Sequence, residues 1–156
     1  MLHRIEGPPH SALADLSLAQ NGDPIVSDGF GGGVYRLVAG KLVLLNETDF
    51  ISPQTANILP DGRHALVPDY LRGVGILDLE EGQVTWMNPV GGLGWRAMAL
   101  SGIDGLYFDR GSIILTQNGI SPERVIRLRL DASYARILKL ETIEQGTAHW
   151  GIQRTE

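Results

Sequence analysis

The chain has no cysteine. A disulfide framework, a thiolate nucleophile and a Cys-ligated zinc are therefore excluded. No run approaches the ~18 consecutive apolar residues of a membrane-spanning helix, so no membrane partner is expected. The opening residues, MLHRIEGPPH, carry no apolar stretch of the kind that drives secretion, and a cytoplasmic location is expected. Basic residues are outnumbered, 13 Lys and Arg against 18 Asp and Glu, which gives a net charge of −5. That balance argues against a nucleic-acid partner and leaves room for a carboxylate-lined site for a cation or a neutral polar ligand. Helical periodicity is missing as well. The four histidines, His3, His10, His64 and His149, show no HExxH spacing, and there is no GxSxG elbow. The zincin and serine-hydrolase classes thus have no support.

What the chain has in excess is glycine and proline, 20 and 8 in 156 residues, against ~12% in average usage. Many turns between short elements are expected, and a helical bundle is not. The turns fall in a repeat. DLSLAQNGDPIVSDGFGGGVYRL begins at Asp15, TANILPDGRHALVPDYLRGVGILDL at Thr55, and DGLYFDRGSIILTQNGISPERVIRLRL at Asp104. Each has an apolar run, a turn ending in Gly, a second run ending in Asp or Asn, a loop and a third alternating run. A fourth run follows: KLVLLNE, QVTWMNP and ARILKLETIE. The turn glycines Gly22, Gly62 and Gly111 are 40 and 49 residues apart. A period near ~40–45 with four strands per unit is the signature of propeller blades.

Local chemistry agrees. Asn21-Gly22 and Asp61-Gly62 are hairpin-turn pairs, since Asn and Gly tolerate positive φ. In RVIRLRL, Ile126, Leu128 and Leu130 share one face and Arg127 and Arg129 the other. The prediction is an all-β chain of twelve strands in three four-stranded antiparallel blades, about residues 12–48, 52–90 and 98–144. Residues 1–11 are a lead-in and 145–156 a tail. Three blades make half of a six-bladed ring and leave two sheet faces open. A homodimer completing the ring, or the remainder of a longer chain, is the expected partner.

Two stretches carry a family resemblance. ISPQTANILPDGRHALVPDYLRGVGILDLEEGQV and GIDGLYFDRGSIILTQNG resemble the strand rhythm of the gluconolactonase/regucalcin-like group of six-bladed, TolB-like propellers. The resemblance covers about residues 12–145. It implies a divalent cation in the central channel, Ca²⁺ first, with Mg²⁺ or Zn²⁺ also possible. Oxygen atoms of Glu, Asn and Asp would hold it, and it would polarise a sugar-lactone carbonyl and activate water. Asp104 matches the group's site Asp, as metal ligand or general base. Gln54-Thr55 stands where the group has Asn-Gly, with a longer amide and no glycine. Glu6-Gly7-Pro8 mimics the group's opening motif but lies far ahead of the first blade.

The repeat marks site candidates independently. Seven residues before each turn glycine stand Asp15, Thr55 and Asp104, at the start of each innermost strand. Side chains there line one mouth of the axis, and converging oxygens suit a hard cation. The competing reading is that they cap strand starts by bonding backbone N–H groups. The candidate metal ligands are Asp104, Asp15, Gln54 and Asn118, with Thr55 and Asn57 nearby, and the candidate catalytic residue is Asp104. Asp28, Asp69 and Asn118 read as equivalent Asx turns leaving the second strand. Asn118 is also open to a ligand role. Gly31-Gly32-Gly33 lacks the Lys-[Ser/Thr] and helix of a phosphate cradle and reads as a hairpin loop. His64 is expected at the surface, Trp86 and Trp95 in core or interface with a ligand platform as the lesser option, and His149 and Trp150 against a blade edge or a partner. Asn46-Glu47-Thr48 is a formal glycosylation sequon with no export signal to use it. The functions that follow as expectations are a metal-dependent sugar-lactone hydrolase, or alternatively a non-catalytic propeller that binds a small polar molecule or a partner, or a truncated propeller fragment without activity.

Overall fold

In the computed structural model, residues 4–89 and 100–147 are described. The predicted Trp95 role and those of His3, His149 and Trp150 lie outside them. Among the described residues there is no helix, and so none able to cross a membrane. There are thirteen strands. The first sheet joins β1 (Leu13–Leu18), β2 (Pro24–Asp28), β3 (Val34–Val38) and β4 (Lys41–Asn46) in sequence order. The second joins β5 (Asn57–Ile58), β6 (His64–Asp69), β7 (Gly73–Asp78) and β8 (Val84–Trp86). The third joins β10 (Ile103–Asp109), β11 (Ser112–Gln117), β12 (Arg124–Leu130) and β13 (Arg136–Gln145). All neighbours within these sets are antiparallel. The turn glycines Gly22, Gly62 and Gly111 have φ of 87°, 69° and 76°, a region L-residues avoid. This is why each repeat turns at a glycine.

The expected count of twelve strands is one short. Asn88–Pro89 forms β9, which pairs in parallel with Arg136 and Ile137 at the outer edge of the third sheet. A proline is tolerated on such an edge because no ladder donor is needed from it.

The sheets stack through two apolar layers. Ile25 and Val34 of blade 1 pack with Ala65, Val67 and Leu77 of blade 2, together with Phe50 and Ala56 from the linker. Phe50 also meets Trp86 edge-on, with ring centroids 5.6 Å apart, so Trp86 belongs to this layer. Leu66, Val74 and Ile76 of blade 2 pack with Ile103, Leu106, Ile113, Leu115, Ile126 and Leu128 of blade 3. Blade 2 is covered on both faces, and every described position of β7 is buried. This is the run-on apolar pattern of a strand sandwiched between layers. The inner strands β1, β5 and β10 adjoin one another in turn.

Candidate functional site

Antiparallel pairing puts the starts of β1, β5 and β10 at the same end as the ends of β2, β6 and β11. At this entry end the structure brings four of the predicted residues into two pairs. Thr55 Oγ1 donates to Asp15 Oδ2 across the boundary of blades 1 and 2. Asn118 Nδ2 donates to Asp104 Oδ2 at 2.7 Å within blade 3. Asp15, Asp104 and Asn118 are exposed, and Thr55 is half-buried. No ion pair forms on either carboxylate among the described residues. Both negative charges are therefore held by neutral donors and left uncompensated, which favours approach of a cation or of sugar hydroxyls.

Gln54 and Asn57 are engaged locally. Gln54 Nε2 donates to Ser52 O and Ser52 Oγ at 3.1 and 3.2 Å, and Ser52 Oγ donates to Gly29 O at 2.8 Å. Asn57 bridges blades: its Oδ1 accepts from Phe108 N at 3.3 Å, and its Nδ2 lies 3.5 Å from Leu106 O. It works as a strut between β5 and β10.

The register corrects two equivalences. Leu16 lies opposite Val26 and Leu106 opposite Leu115, so Asp15 matches Thr55 and Gly105, and Asp104 matches Ala14 and Gln54. Asp28 lies opposite Leu13, Asp69 opposite Pro53, and Gln117 opposite Ile103. The counterpart of Asp28 and Asp69 is thus buried Gln117, not exposed Asn118. The two acids do form Asx turns, and they also fasten the chain entering the blade. Asp69 Oδ1 accepts from Leu71 N and Arg72 N at 2.9 Å, and Oδ2 from Ile51 N and Ser52 N at 2.6 and 2.9 Å. Asp28 Oδ1 takes Ala12 N, Phe30 N and Gly31 N at 2.8–3.1 Å. Gln117 Nε2 donates to Ser101 O at 2.8 Å, and its Oε1 accepts from Arg124 Nε at 2.7 Å. Buried polar groups with such complete partnerships are structural.

The implied cation can be tested on this geometry. The donors are all oxygen, which suits Ca²⁺ or Mg²⁺ better than Zn²⁺. However, no group of three His, Asp or Glu side chains able to hold a metal assembles among the described residues. A ligand set at this mouth would have to draw on the amide oxygens of Gln54 and Asn118 beside the carboxylates of Asp15 and Asp104.

The far end carries a second cluster. A cleft of about 530 Å³ there is lined by Asp61, His64 and Asp78 on the blade 2 side and by Ser133 and Tyr134 of blade 3. His64 is not a free surface residue. Its Nδ1 lies 2.7 Å from Asp61 Oδ2 and its Nε2 3.8 Å from Asp78 Oδ2. Arg63 reaches Asp78 at 2.7 Å and Glu81 at 3.2 Å. The hydrogen bond from Arg63 pulls the Asp78 carboxyl down to about 2, against the effect of burial. Partial burial pushes the Asp61 carboxyl up, but hydrogen bonds from His64 and Arg63 outweigh it and leave it below its ordinary value. Counting the β6–β7 hairpin back from its turn would have found this grouping, because His64 and Asp78 are directly opposed.

No protein-family profile matches the chain, and no curated protein matches it in sequence. Solved structures do match its shape. A propeller chain of the nidogen/laminin complex superposes with a TM-score of 0.68 at 15% identity, over 88% of this chain and 49% of that one. The fold is an all-β propeller. A candidate 6-phosphogluconolactonase from Bacteroides uniformis gives 0.56 at 12% identity, covering 92% of this chain and 45% of that one. Another, from Bacteroides fragilis, gives 0.56 at 15%, covering 90% and 40%. The chain spans half or less of the length of each of these three neighbours. At such identities the likeness speaks for the architecture alone.

Proposed function

We propose that the protein is a lactonase-like propeller that binds a small polyhydroxylated molecule, such as a sugar lactone, at the entry mouth of its axis. The observation that carries this reading is the pair of exposed, uncompensated carboxylates, Asp15 on β1 and Asp104 on β10, at the same end of the two inner strands that flank β5. Carboxylate acceptors beside a hydroxyl and an amide match the donors and acceptors of a sugar. The likeness to candidate 6-phosphogluconolactonases supports the same substrate class. In this reading Asp104 is the general base that takes a proton from the attacking water, while Asn118 holds the carboxylate in place. Asp15 and Thr55 bind ring hydroxyls. A divalent cation would polarise the lactone carbonyl when bound, with Asp15, Asp104, Gln54 and Asn118 as the residues that would hold it, but no step is assigned to it.

The second reading is a binding propeller without catalysis. It is favoured by the neutral partner of Asp104, since no second titratable group is hydrogen-bonded to it among the described residues. Hydrolysis of glucono-δ-lactone followed in a pH-stat separates the two. The enzyme reading expects a rate above the spontaneous one that falls by about 10²-fold in Asp104→Asn with the melting temperature unchanged. Gluconate or lactone raising the melting temperature without turnover would select the binding reading. Neither turnover nor binding would reject both.

A further inference from the structure

The corrected register places the three blades in residue-by-residue correspondence. Val26 of blade 1 matches Val67 and Leu115, and Leu37 matches Leu77 and Leu128. In blades 2 and 3 these side chains look back at the preceding blade and have 0% exposure. No blade precedes blade 1 among the described residues, and the same face is only partly covered, with Ile5 of the lead-in beside it. Leu16, Leu18 and Leu44 are 60%, 62% and 45% exposed there. Leu13, Val26, Leu37 and Leu42 line an apolar groove of about 250 Å³ beside them. Contiguous exposed apolar surface of this kind marks an interaction site.

The opposite side of the stack answers it. Blade 1 presents Ile25, Ser27, Val34 and Arg36 forward to blade 2, and the first three have 0–1% exposure under that contact. The same positions in blade 3 are Ile114, Thr116, Val125 and Arg127. Aliphatic, hydroxyl, valine and arginine recur in the same order. On blade 3 no further blade among the described residues covers them, and all four are only half-buried. Each open face thus carries the pattern of one partner in the blade 1–blade 2 interface.

We propose that the outer face of blade 1 packs on the outer face of blade 3 of a second copy, repeating the blade 1–blade 2 interface between molecules. One two-fold axis makes both contacts at once and joins two sets of three blades into a ring of six, within the range of closed propellers. The inference rests on packing and stands apart from the ligand reading. A blade carried by another polypeptide would fit the same face, and a contact of blade 1 with its own copy would also hide the leucines.

Light scattering on the purified 156-residue chain, with circular dichroism alongside, separates these outcomes. The ring predicts a single species of about 34 kDa, twice the 17.0 kDa chain. Leu16→Glu in blade 1 and Tyr107→Glu in blade 3 should each return it to 17.0 kDa with an unchanged β spectrum. Both side chains are already 60% or more exposed within one copy, so neither change threatens the fold. A well-folded 17.0 kDa wild type overturns the proposal and points to another polypeptide as the occupant. Dissociation by Leu16→Glu but not by Tyr107→Glu overturns it in favour of blade 1 pairing with itself. Open-ended polymers overturn the closed ring.

Discussion

Blades 2 and 3 fasten the same corner of the sheet with opposite chemistry. In blade 2, buried Asp69 takes four backbone N–H groups, two on each oxygen. In blade 3, buried Gln117 donates to a carbonyl and accepts from Arg124, a guanidinium whose own pKa burial pushes down. The fold requires this corner to be satisfied and does not require a given residue. A carboxylate suffices where the entering linker offers donors. Where the linker offers the Ser101 carbonyl, an amide is needed, because a carboxylate has no proton to give.

The largest break in this comparison is Asp69→Ala. Four backbone N–H groups lose their buried acceptor, and a loss of about 4 kcal/mol is expected from the bonds removed, read as a lower urea midpoint. Asp69→Asn should cost about 3 kcal/mol, because its NH₂ would face donors in place of one oxygen. Next comes Gln117→Leu, at about 2 kcal/mol for the acceptor taken from a buried cation. Gln117→Asp should do no better, because it is too short and cannot donate. Asp28→Asn sharpens the contrast at about 1 kcal/mol. All three of its donors sit on Oδ1, which an amide oxygen can replace. Equal losses for Asp28→Asn and Asp69→Asn would refute this account.

The smallest effect lies at the far end of blade 2. Asp78 is lowered from 3.8 to about 2 in the fold. A depressed carboxyl stabilises the fold above its unfolded value and loses that contribution as pH falls through its folded value. The urea midpoint should therefore drop between pH 4 and pH 2, and Arg63→Gln should flatten that slope. An unchanged slope would show that Arg63 does not hold Asp78.

The blades were legible because strand alternation and turn glycines are local. Ile126, Leu128 and Leu130 announce their shared face by spacing, and all three are buried. Gly22, Gly62 and Gly111 announce the turns by backbone sterics. The candidate site was legible only in outline. Asp15 and Asp104 stand at the entry mouth on equivalent strands, but their partners Thr55 and Asn118 are assigned by contacts 40 and 14 residues away in the chain. Asn118 looks like Asp28 and Asp69 because all end an apolar run. The partner strand shifts the match by one residue, and one residue in a strand exchanges faces. Parallel β9 had no local signal at all, since an edge pairing of two residues is decided by what lies beside it.

The amino-acid sequence alone therefore determined the repeat, the strand class, the turns and the apolar stripe of each blade, all of which follow from short-range sterics and side-chain periodicity. Only the tertiary structure decided which buried polar residue fastens each corner and which carboxylates remain uncompensated. It also decided which two faces stay open. Hydrogen bonding and burial are properties of neighbours in space, some across one blade and some on different blades.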